Sequence, residues 1–198
     1  FAKEIRNPVN LVIANDATGT RRYFRTGEKA NVYGVELEVR KNLVTDADEN
    51  AVVSAGINGT YMHTQQDLRS SNGLFSSTLD RDDELQGASP FLINADINYS
   101  PTSFENYKPV ANLIYSYFAD RIDALGSGQL GNIVEKGYGT LDFVWRNEFG
   151  DNWEINASAK NLLDPDIEYV REGTSFGDYT TSIYRRGINV GLNVKYKF

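Results

Sequence analysis

The sequence predicts an all-β fold made of antiparallel strands, and three observations lead to this prediction. Apolar and polar residues alternate one by one in about eight segments, which is the side-chain period of an extended strand. The stretches between these segments do not carry convincing helical spacing. The connections alternate between tight turns and long polar loops, as in a sheet whose two ends face different surroundings.

The clearest predicted strand is the last segment, residues 188–198. Its even positions are all apolar or aromatic: Ile188, Val190, Leu192, Val194, Tyr196 and Phe198. Its odd positions hold Gly, Asn or Lys, so the strand has one apolar face and one polar face. A length of about eleven residues suits a tilted strand that crosses a membrane. A half-buried strand of a soluble sandwich would alternate in the same way, so the other segments must decide.

Seven earlier segments show the same alternation. They are residues 1–5, 33–40, 51–63, 91–99, 108–119, 141–146 and 153–160. In the segment 108–119, two sets of residues face opposite ways: Leu113, Tyr115 and Tyr117, and Val110, Ile114 and Phe118. We assign the first of these sets to the outer, apolar face of the sheet.

The long connections fall after every second strand. They are residues 65–88, residues 120–136 and the stretch before the last strand, whereas short turns follow the intervening strands. Outer-membrane barrels have this arrangement because their periplasmic turns are short and their outer loops are long. Charged residues in mid-strand on the polar faces, such as Glu36, Asp96 and Lys195, indicate a barrel wide enough to hold water.

The spacing of aromatic residues fits the height of a membrane. Phe91 and Tyr99 lie on one face of a strand, and their separation is roughly 21 Å along the axis of a barrel whose strands tilt by about 40°. An apolar band about 25 Å tall between aromatic girdles is typical of such barrels. We therefore predict an antiparallel transmembrane β-barrel segment in the outer membrane of a Gram-negative cell.

The composition excludes several classes of site. The chain has no cysteine, which excludes disulfides, Cys-bound zinc and thiol catalysis. His63 is the single histidine, and the net charge of −7 argues against a nucleic-acid partner. We expect no cofactor and no bound metal. We also expect no enzymatic activity, because no nucleophile–base pair can be read from the sequence.

Four segments resemble the TonB-dependent outer-membrane receptors. Residues 30–43, ANVYGVELEVRKNL, resemble a late barrel strand of that family. Residues 86–94, QGASPFLIN, resemble its Gly-Gln-Ser-Pro-aromatic entry into the following strand, with Ala88 where Gln is expected. Residues 160–165, KNLLDP, are similar to its Asn-Leu-Leu-Asp element, and residues 196–198 match the aromatic end that the barrel-assembly machinery reads.

The resemblance implies a barrel of about 22 strands, of which residues 1–198 form about the last eight as one carboxy-terminal barrel portion. It implies a plug domain and a TonB-contacting segment that precede this chain, and Phe1 opens the chain without an initiator Met. The implied function is active uptake of a scarce ligand, which binds the outer loops and the plug. The implied partners are outer-membrane lipid, the barrel-assembly machinery, the TonB system and a small ligand that the sequence does not identify.

Two alternatives stay open from the residues alone. The chain could form a self-contained eight-stranded outer-membrane barrel, an anchor or adhesin, if residues 1–5 pair with residues 188–198. It could also form a soluble β-sandwich binding module, in which the apolar strand faces would pack into a dry centre.

The candidate site residues fall into two groups. The candidate assembly signal is the apolar ladder of the last strand: Val190, Leu192, Val194, Tyr196 and Phe198. The candidate ligand contacts are aromatic and cationic loop residues, because binding residues favour loops on a rigid scaffold: Arg69, Phe75, Tyr169, Arg171, Phe176 and Tyr179. The acidic loop 80–84, DRDDE, does not have the spacing of an EF-hand, and a solvated charged loop is favoured over a cation site.

Overall fold

The computed structural model describes residues 1–13, 19–69, 81–127, 130–173 and 177–198. The regular elements in these ranges are all β-strands, as predicted. In chain order they are β1 (Ala2–Arg6), β2 (Val9–Ile13), β3 (Arg21–Arg25), β4 (Lys29–Thr45), β5 (Ala51–Leu68), β6 (Arg81–Asp83), β7 (Phe91–Tyr99), β8 (Tyr107–Phe118), β9 (Arg121–Ala124), β10 (Ile133–Glu135), β11 (Tyr138–Phe149), β12 (Trp153–Lys160), β13 (Ile167–Arg171), β14 (Tyr179–Tyr184) and β15 (Asn189–Tyr196). Within the described ranges, no helical segment is long and apolar enough to cross a membrane.

One antiparallel sheet, which we call the wall, contains the predicted strands. Its path runs β1-β4-β5-β7-β8-β11-β12-β15, and β6 pairs with the end of β5. The strand β7 has the predicted bounds. The two ends of the path are β1, which pairs with β4, and β15, which pairs with β12. The wall is therefore an open sheet, and β1 does not close it by pairing with β15.

The register of the wall defines its two faces, because directly paired residues lie on the same side of a sheet. One row on the outer face consists of Val39, Ile57, Ala95, Tyr115 and Leu141. Most side chains of this face are apolar and yet many are exposed: Leu192 is 73% and Val190 is 77% exposed. Leu113 and Tyr117 lie on the same face, paired with Ile97 and Ile93, so the assignment made for the ambiguous strand is confirmed.

The strands β4 and β5 extend beyond the predicted segments, to 17 and 18 residues. The prediction that residues 65–68 belong to a loop was wrong, since Gln66 and Leu68 continue β5 with only 1% and 0% exposure. The prediction failed because the apolar residues change from one face of the strands to the other at this end of β4 and β5. Ala30 and Val32 are buried at even positions, whereas the apolar residues further along β4 occupy odd positions.

The long connections fold into a second structure, which we call the outer lobe. It consists of β2, β3, β9, β10, β13 and β14, together with β6 and the ends of β4 and β5 that it covers, residues 29–32 and 64–68. Four of its strands form a sheet in the order β14-β13-β10-β9, and β2 pairs with β3 as a hairpin. The hairpin joins this sheet through a parallel bridge between Val12 and Leu125. The N–H of Ile13 donates to the carbonyl oxygen of Leu125 at 2.9 Å.

The outer lobe has a conventional apolar core. One buried cluster consists of Val12, Leu68, Ile122 and Leu125, and a second of Ile13, Ala124 and Ile133. Residues 120–136 and the stretch before the last strand were predicted as loops, and the structure places the short strands β9, β10, β13 and β14 in them. Strands of three to five residues, such as β9, β10 and β13, contain too few alternations for a period of two to be recognised.

The opposite end of the wall carries only short connections among the described strands, as predicted. The turn between β4 and β5 is organised by Asp46, whose carboxylate accepts hydrogen bonds from the N–H groups of Asp48 at 3.0 Å and Asn50 at 2.8 Å. Thr102, in the next turn, donates its hydroxyl to the same carboxylate at 2.5 Å. Gly150 occupies the third turn with a φ of +55°, which suits a tight hairpin.

Candidate functional site: the two-sided wall and the outer lobe

Aromatic side chains border the outer face of the wall at both ends. At the turn end, the register joins four rings in one row: Tyr107, Phe149, Trp153 and Tyr196. The ring centroids of Trp153 and Tyr196 are 4.8 Å apart. At the lobe end, Tyr33 is 54% and Tyr61 is 62% exposed on the same face. Rings at the two borders of an apolar band suit the two interfaces between hydrocarbon and water.

The inner face of the wall carries charged and amide side chains together with some apolar ones, such as Val110 and Ile114. Arg40 binds Asp96 through two hydrogen bonds of 3.1 and 3.3 Å, and these residues lie in mid-strand. Amide side chains link the neighbouring strands, with Asn98 donating to Asn112 at 2.7 Å. The side chain of Arg40 is 55% exposed in this structure. An ion pair with this exposure needs water beside it, so the inner face suits a wide aqueous space.

The two faces exchange character where β4 and β5 enter the outer lobe. Tyr33 and His63 pair at this point on the outer face. Beyond them the outer positions, such as Asn31 and Gln65, are polar, and the inner position Thr64 is buried beneath the lobe. We did not foresee this exchange from the sequence. The shift of apolar residues from odd to even positions in β4 is the signal that could have revealed it.

The candidate assembly residues lie where they were predicted, on the outer face of the last strand. The exposed ladder on β15 and beyond consists of Val190, Leu192, Val194, Tyr196 and Phe198. The ring of Phe198 meets that of Tyr196 edge to face, with centroids 5.0 Å apart. Because β15 is an end of the wall, its apolar ladder lies beside an open strand edge.

Three of the candidate ligand contacts lie together on β13 and β14 of the outer lobe. Arg171 pairs with Tyr179 across the two strands, and Tyr169 lies two residues before Arg171. Tyr179 is 50% exposed. In Arg171, the Nε and Nη1 atoms are buried and have no hydrogen-bond partner within the described residues. One cation and two phenol rings thus occupy neighbouring positions of the paired strands β13 and β14, on one side of the lobe.

Tyr169 belongs to this group and also packs against the core of the outer lobe. Its ring packs against the cluster of Ile13, Ala124 and Ile133, and it stacks on Tyr184 with centroids 6.3 Å apart. Burial raises the pKa of the Tyr169 hydroxyl, and the hydrogen bond with Tyr184 adds to the rise. Tyr169 therefore stays a neutral hydrogen-bonding group at physiological pH.

The remaining candidate ligand contacts are not part of this group. Arg69 follows β5 and pairs with Asp67 at 3.1 Å, on the outer side of the wall. Phe75 and Phe176 lie outside the described residues. The structure therefore brings Tyr169, Arg171 and Tyr179 together and leaves Arg69 apart from them.

The acidic loop takes part in a hydrogen-bond network, and Asp80 lies outside the described residues. Arg81 binds Asp83 at 3.0 Å and donates to the side-chain oxygen of Asn132 at 2.7 Å. Asn132 in turn donates its amide to Asp83 at 2.9 Å. Among the described residues, no three His, Cys, Asp or Glu side chains are placed to hold a metal ion. Through its hydrogen bond with Asn132, Asp83 connects β6 with the loop before β10.

An ion pair in the lobe was not foreseen. Glu135 on β10 is buried, with 4% exposure, and Arg121 on β9 binds it at 2.7 Å. The guanidinium of Arg121 also lies over the ring of Phe118, 4.4 Å from its centroid. A buried carboxylate needs such a partner, because burial without one is costly. No local motif in the sequence marks this pair, since its members meet only through the pairing of β9 with β10.

The fold, rather than the sequence, links this chain to known proteins. No model of a protein family matches the sequence, and no curated protein matches it. A solved structure of similar fold is that of the ferric yersiniabactin uptake receptor FyuA from Yersinia pestis, with a TM-score of 0.57 and 18% sequence identity. The match covers 89% of this chain and 25% of that chain, so this chain spans about a quarter of the receptor's length. The wall is all-β, antiparallel and open, and its strand count is compatible with a segment of a β-barrel of this fold.

Proposed function

We propose that this chain is the carboxy-terminal part of a TonB-dependent outer-membrane receptor and contributes barrel wall and outer loops to the active uptake of a scarce ligand. The observation that carries the proposal is the two-sided wall, whose end strands β1 and β15 each pair with only one strand among the described residues. The fold similarity to a receptor named for the uptake of ferric yersiniabactin supports it.

The outer face supports a place in the outer membrane. A row such as Phe143, Ala159 and Val190 offers no polar group to water, and aromatic rings border these rows at both ends. In water, an apolar surface of this extent would drive aggregation. In hydrocarbon the same surface is stabilising, and the paired strands satisfy each other's backbone groups.

The open edges support a larger barrel around this wall. The edges of β1 and β15 present backbone N–H and C=O groups that need partners, and in lipid each unsatisfied group costs several kcal/mol. Further strands on both sides would supply those partners. A wall that covers a quarter of a larger receptor of similar fold agrees with this reasoning.

The alternatives open from the sequence find less support. A self-contained eight-stranded barrel needs β1 beside β15, and these strands are the two ends of the sheet. A soluble sandwich would bury Val190 and Leu192, which are 77% and 73% exposed. The proposal includes no catalytic step, no cofactor and no nucleic-acid partner.

Each part of the chain has a role in this proposal. The barrel-assembly machinery reads the apolar ladder of β15, and lipid then covers it. The outer lobe closes over one end of the wall, where Tyr169, Arg171 and Tyr179 are candidates for contact with the ligand. Energy reaches the ligand through the plug and the TonB system, which act through segments that precede this chain.

The experiment compares cells that lack the full-length protein with complemented cells. Mass spectrometry and elemental analysis follow every solute that disappears from a nutrient-limited medium, with and without a protonophore. We expect the protein in the outer-membrane fraction and at least one solute that only complemented, energised cells deplete. Recovery of the protein as a soluble species, or depletion that is the same in both strains or insensitive to the protonophore, would contradict the proposal.

A further inference from the structure

The last pairing of the wall joins two strands, β12 and β15, that are not connected by a tight turn. Between them the chain runs through residues 161–188, which include the hairpin of β13 and β14. In a hairpin the turn fixes the register, as the turn at Gly150 does for β11 and β12. The register of β12 and β15 therefore depends on other contacts.

The side chains of β12 and β15 do not distinguish the observed register from one shifted by two residues. Because the side-chain period is two, such a shift keeps the apolar positions on the outer face. Trp153 lies opposite Tyr196, and a shift would bring Phe198 there instead. Glu154 lies opposite Lys195, and the same shift would bring the next lysine there. An aromatic pair and a pair of opposite charges would form again, although β15 would have moved by about 7 Å along β12.

The hairpin of β13 and β14 has this shifted register. Between the wall and the hairpin, the chain has six residues on the β12 side, 161–166, which we call the corner, and four on the β15 side, 185–188. The two extra residues offset the register of the hairpin from that of the wall. Continued into the wall, the hairpin register would place Val194 opposite Ala157, where the structure has Leu192.

The corner holds this offset by binding the backbone of Gly187. The side-chain amide of Asn161 donates to the carbonyl oxygen of Gly187, and the N–H of Gly187 donates to the carboxylate of Asp164, both at 2.9 Å. The N–H of Asn161 donates to Asp142 on β11 at 2.8 Å, which fixes the corner to the wall. Gly187 has a φ of +78°, a conformation that glycine adopts at the lowest cost. In the shifted register, Asn189 would occupy this place.

We propose that the corner is a register lock, which holds β15 two residues away from the register that the hairpin would otherwise impose on it. The inference rests on the proposed barrel, in which β15 carries the apolar ladder, and it gives the Asn-Leu-Leu-Asp segment a role. Asn152 supports the lock at the turn end, since it accepts the N–H of Lys197 and donates its amide to the Lys197 carbonyl oxygen, both at 2.8 Å. The lock thereby places Tyr196 in the aromatic row of the wall.

The experiment measures the register by disulfide cross-linking of the full-length protein in outer membranes. Residues 1–198 contain no cysteine, and any cysteine elsewhere in the protein is replaced by serine. Ala157→Cys is combined with Leu192→Cys for the observed register, with Val194→Cys for the shifted register, and with Val190→Cys for a shift in the other direction. Directly opposite residues lie about 4.5–5.5 Å apart, within the range of a disulfide, whereas residues two positions away lie about 7–8 Å apart.

The test variant is Asn161→Gly with Asp164→Gly. Glycine removes both side chains and still adopts the φ values of +59° and +40° at these positions. The matched control is Leu163→Gly with Asp166→Gly, which introduces two glycines into the same corner and leaves both hydrogen bonds to Gly187 in place.

In the unaltered protein, we expect the 157–192 disulfide to be the main product. The test variant should lower the ratio of this product to the 157–194 product at least about fivefold, since each hydrogen bond contributes about two- to tenfold to an equilibrium. The control should keep the ratio of the unaltered protein. Equal ratios in the two variants would overturn the inference. Equal increases of the 157–194 and 157–190 products would also overturn it, because the hairpin would then not direct the shift.

Folding is checked by the heat-dependent gel mobility of the barrel. If the test variant does not fold, Asp164→Gly alone replaces it, and a ratio that falls by less than about twofold would overturn the inference. The two proposals fail in different ways. Absence of the unaltered protein from the outer-membrane fraction defeats both, whereas normal membrane location with a register independent of the corner defeats this inference alone.

Discussion

The strand β4 passes through two regions in which the apolar side chains lie on opposite faces and differ in exposure. In the wall, Leu37 lies on the outer face and is 70% exposed. In the outer lobe, Val32 and Ala30 lie on the inner face and are 8% and 0% exposed. The backbone is one continuous strand, so the change does not come from local geometry. It comes from what surrounds each face.

The difference shows how the same period of two can encode two kinds of stabilisation. In the lobe, Leu68 and Leu125 leave water for a packed core, which contributes roughly 25 cal/mol per Å² of buried apolar surface. In the wall, the side chains of the apolar face contact their neighbours across the strands, but no second layer of protein covers them among the described residues. In the proposed membrane location its stability depends on lipid outside, on the strand ladders, and on water beside the inner face.

Truncation of a core side chain should separate the two regions most strongly. Leu68→Ala creates a cavity in the lobe, since Leu68 is 0% exposed, and should cost about 2–5 kcal/mol of lobe stability. Leu37→Ala in the wall should cost much less, because lipid fills the space. Denaturant titration of the protein in micelles, monitored by proteolysis of the lobe, measures the loss of stability in both variants. Equal losses would show that the wall also has a packed protein core on its outer face.

A charge on β15 should distinguish the two faces of the wall. Leu192→Arg places a cation on the outer face and should cost about 2–4 kcal/mol if that residue lies near the middle of the bilayer. Asn193→Arg, one residue along, places the same charge on the inner face and should be tolerated. Folding yield in lipid vesicles is the measurement. A greater loss for Asn193→Arg than for Leu192→Arg would reverse our assignment of the faces.

The two regions also contain ion pairs that should respond differently to loss of the arginine. Arg121→Gln leaves Glu135 buried without a charge partner and should cost about 1–3 kcal/mol, with the partial exposure of Arg121 reducing the effect. Arg40→Gln in the wall should cost at most about 1 kcal/mol, since its pair with Asp96 is solvated. Adding Glu135→Gln should restore most of the stability lost in Arg121→Gln. No recovery in this double variant would mean that Arg121 acts mainly through Phe118.

The smallest expected effect is the change in the stability of the lobe with pH. Burial raises the pKa of Asp120, but hydrogen bonds from Lys136 at 2.8 Å and from the N–H of Gly137 at 2.7 Å outweigh it, so the pKa is lowered. This stabilisation is therefore complete above the unfolded-state pKa of about 3.9 and is lost as the pH falls through the folded-state pKa. We expect a contribution below about 1 kcal/mol, because the side chains are partly exposed.

Thermal unfolding of the lobe between pH 6 and pH 3, with Asp120→Asn as the comparison, measures this contribution. The variant should be less stable than the unaltered protein at pH 6 and should approach it at pH 3. A difference that grows as the pH falls would mean that Asp120 opposes folding of the lobe.

The wall could be predicted from the sequence because its strands are long. Segments such as 91–99 and 188–198 contain enough alternations to fix both the strand and its two faces. The outer lobe could not, because β10 has three residues and β9 has four. Its core is assembled from separate loops, and contacts such as Val12 with Leu125 are not visible in either local segment.

The candidate sites likewise differ in whether they could be predicted from the sequence. The ladder ending at Phe198 follows directly from a period of two, and its place on the outer face was predictable. The association of Arg171 with Tyr179 depends on the pairing of β13 with β14. That pairing leaves no local pattern in either segment of the sequence.

Site-directed spin labelling can follow the exchange of faces directly, since the chain contains no native cysteine. Single cysteines introduced from residue 29 to residue 45 of the full-length protein would be labelled, and their accessibility to oxygen and to a water-soluble nickel complex measured in lipid vesicles. We expect oxygen contact at 35, 37 and 39, nickel contact at 36 and 38, and a reversal beyond Tyr33, where 29 and 31 contact nickel and 30 and 32 contact neither. Nickel contact at 35, 37 and 39, or a profile without a period of two, would contradict a wall that turns its apolar face to lipid.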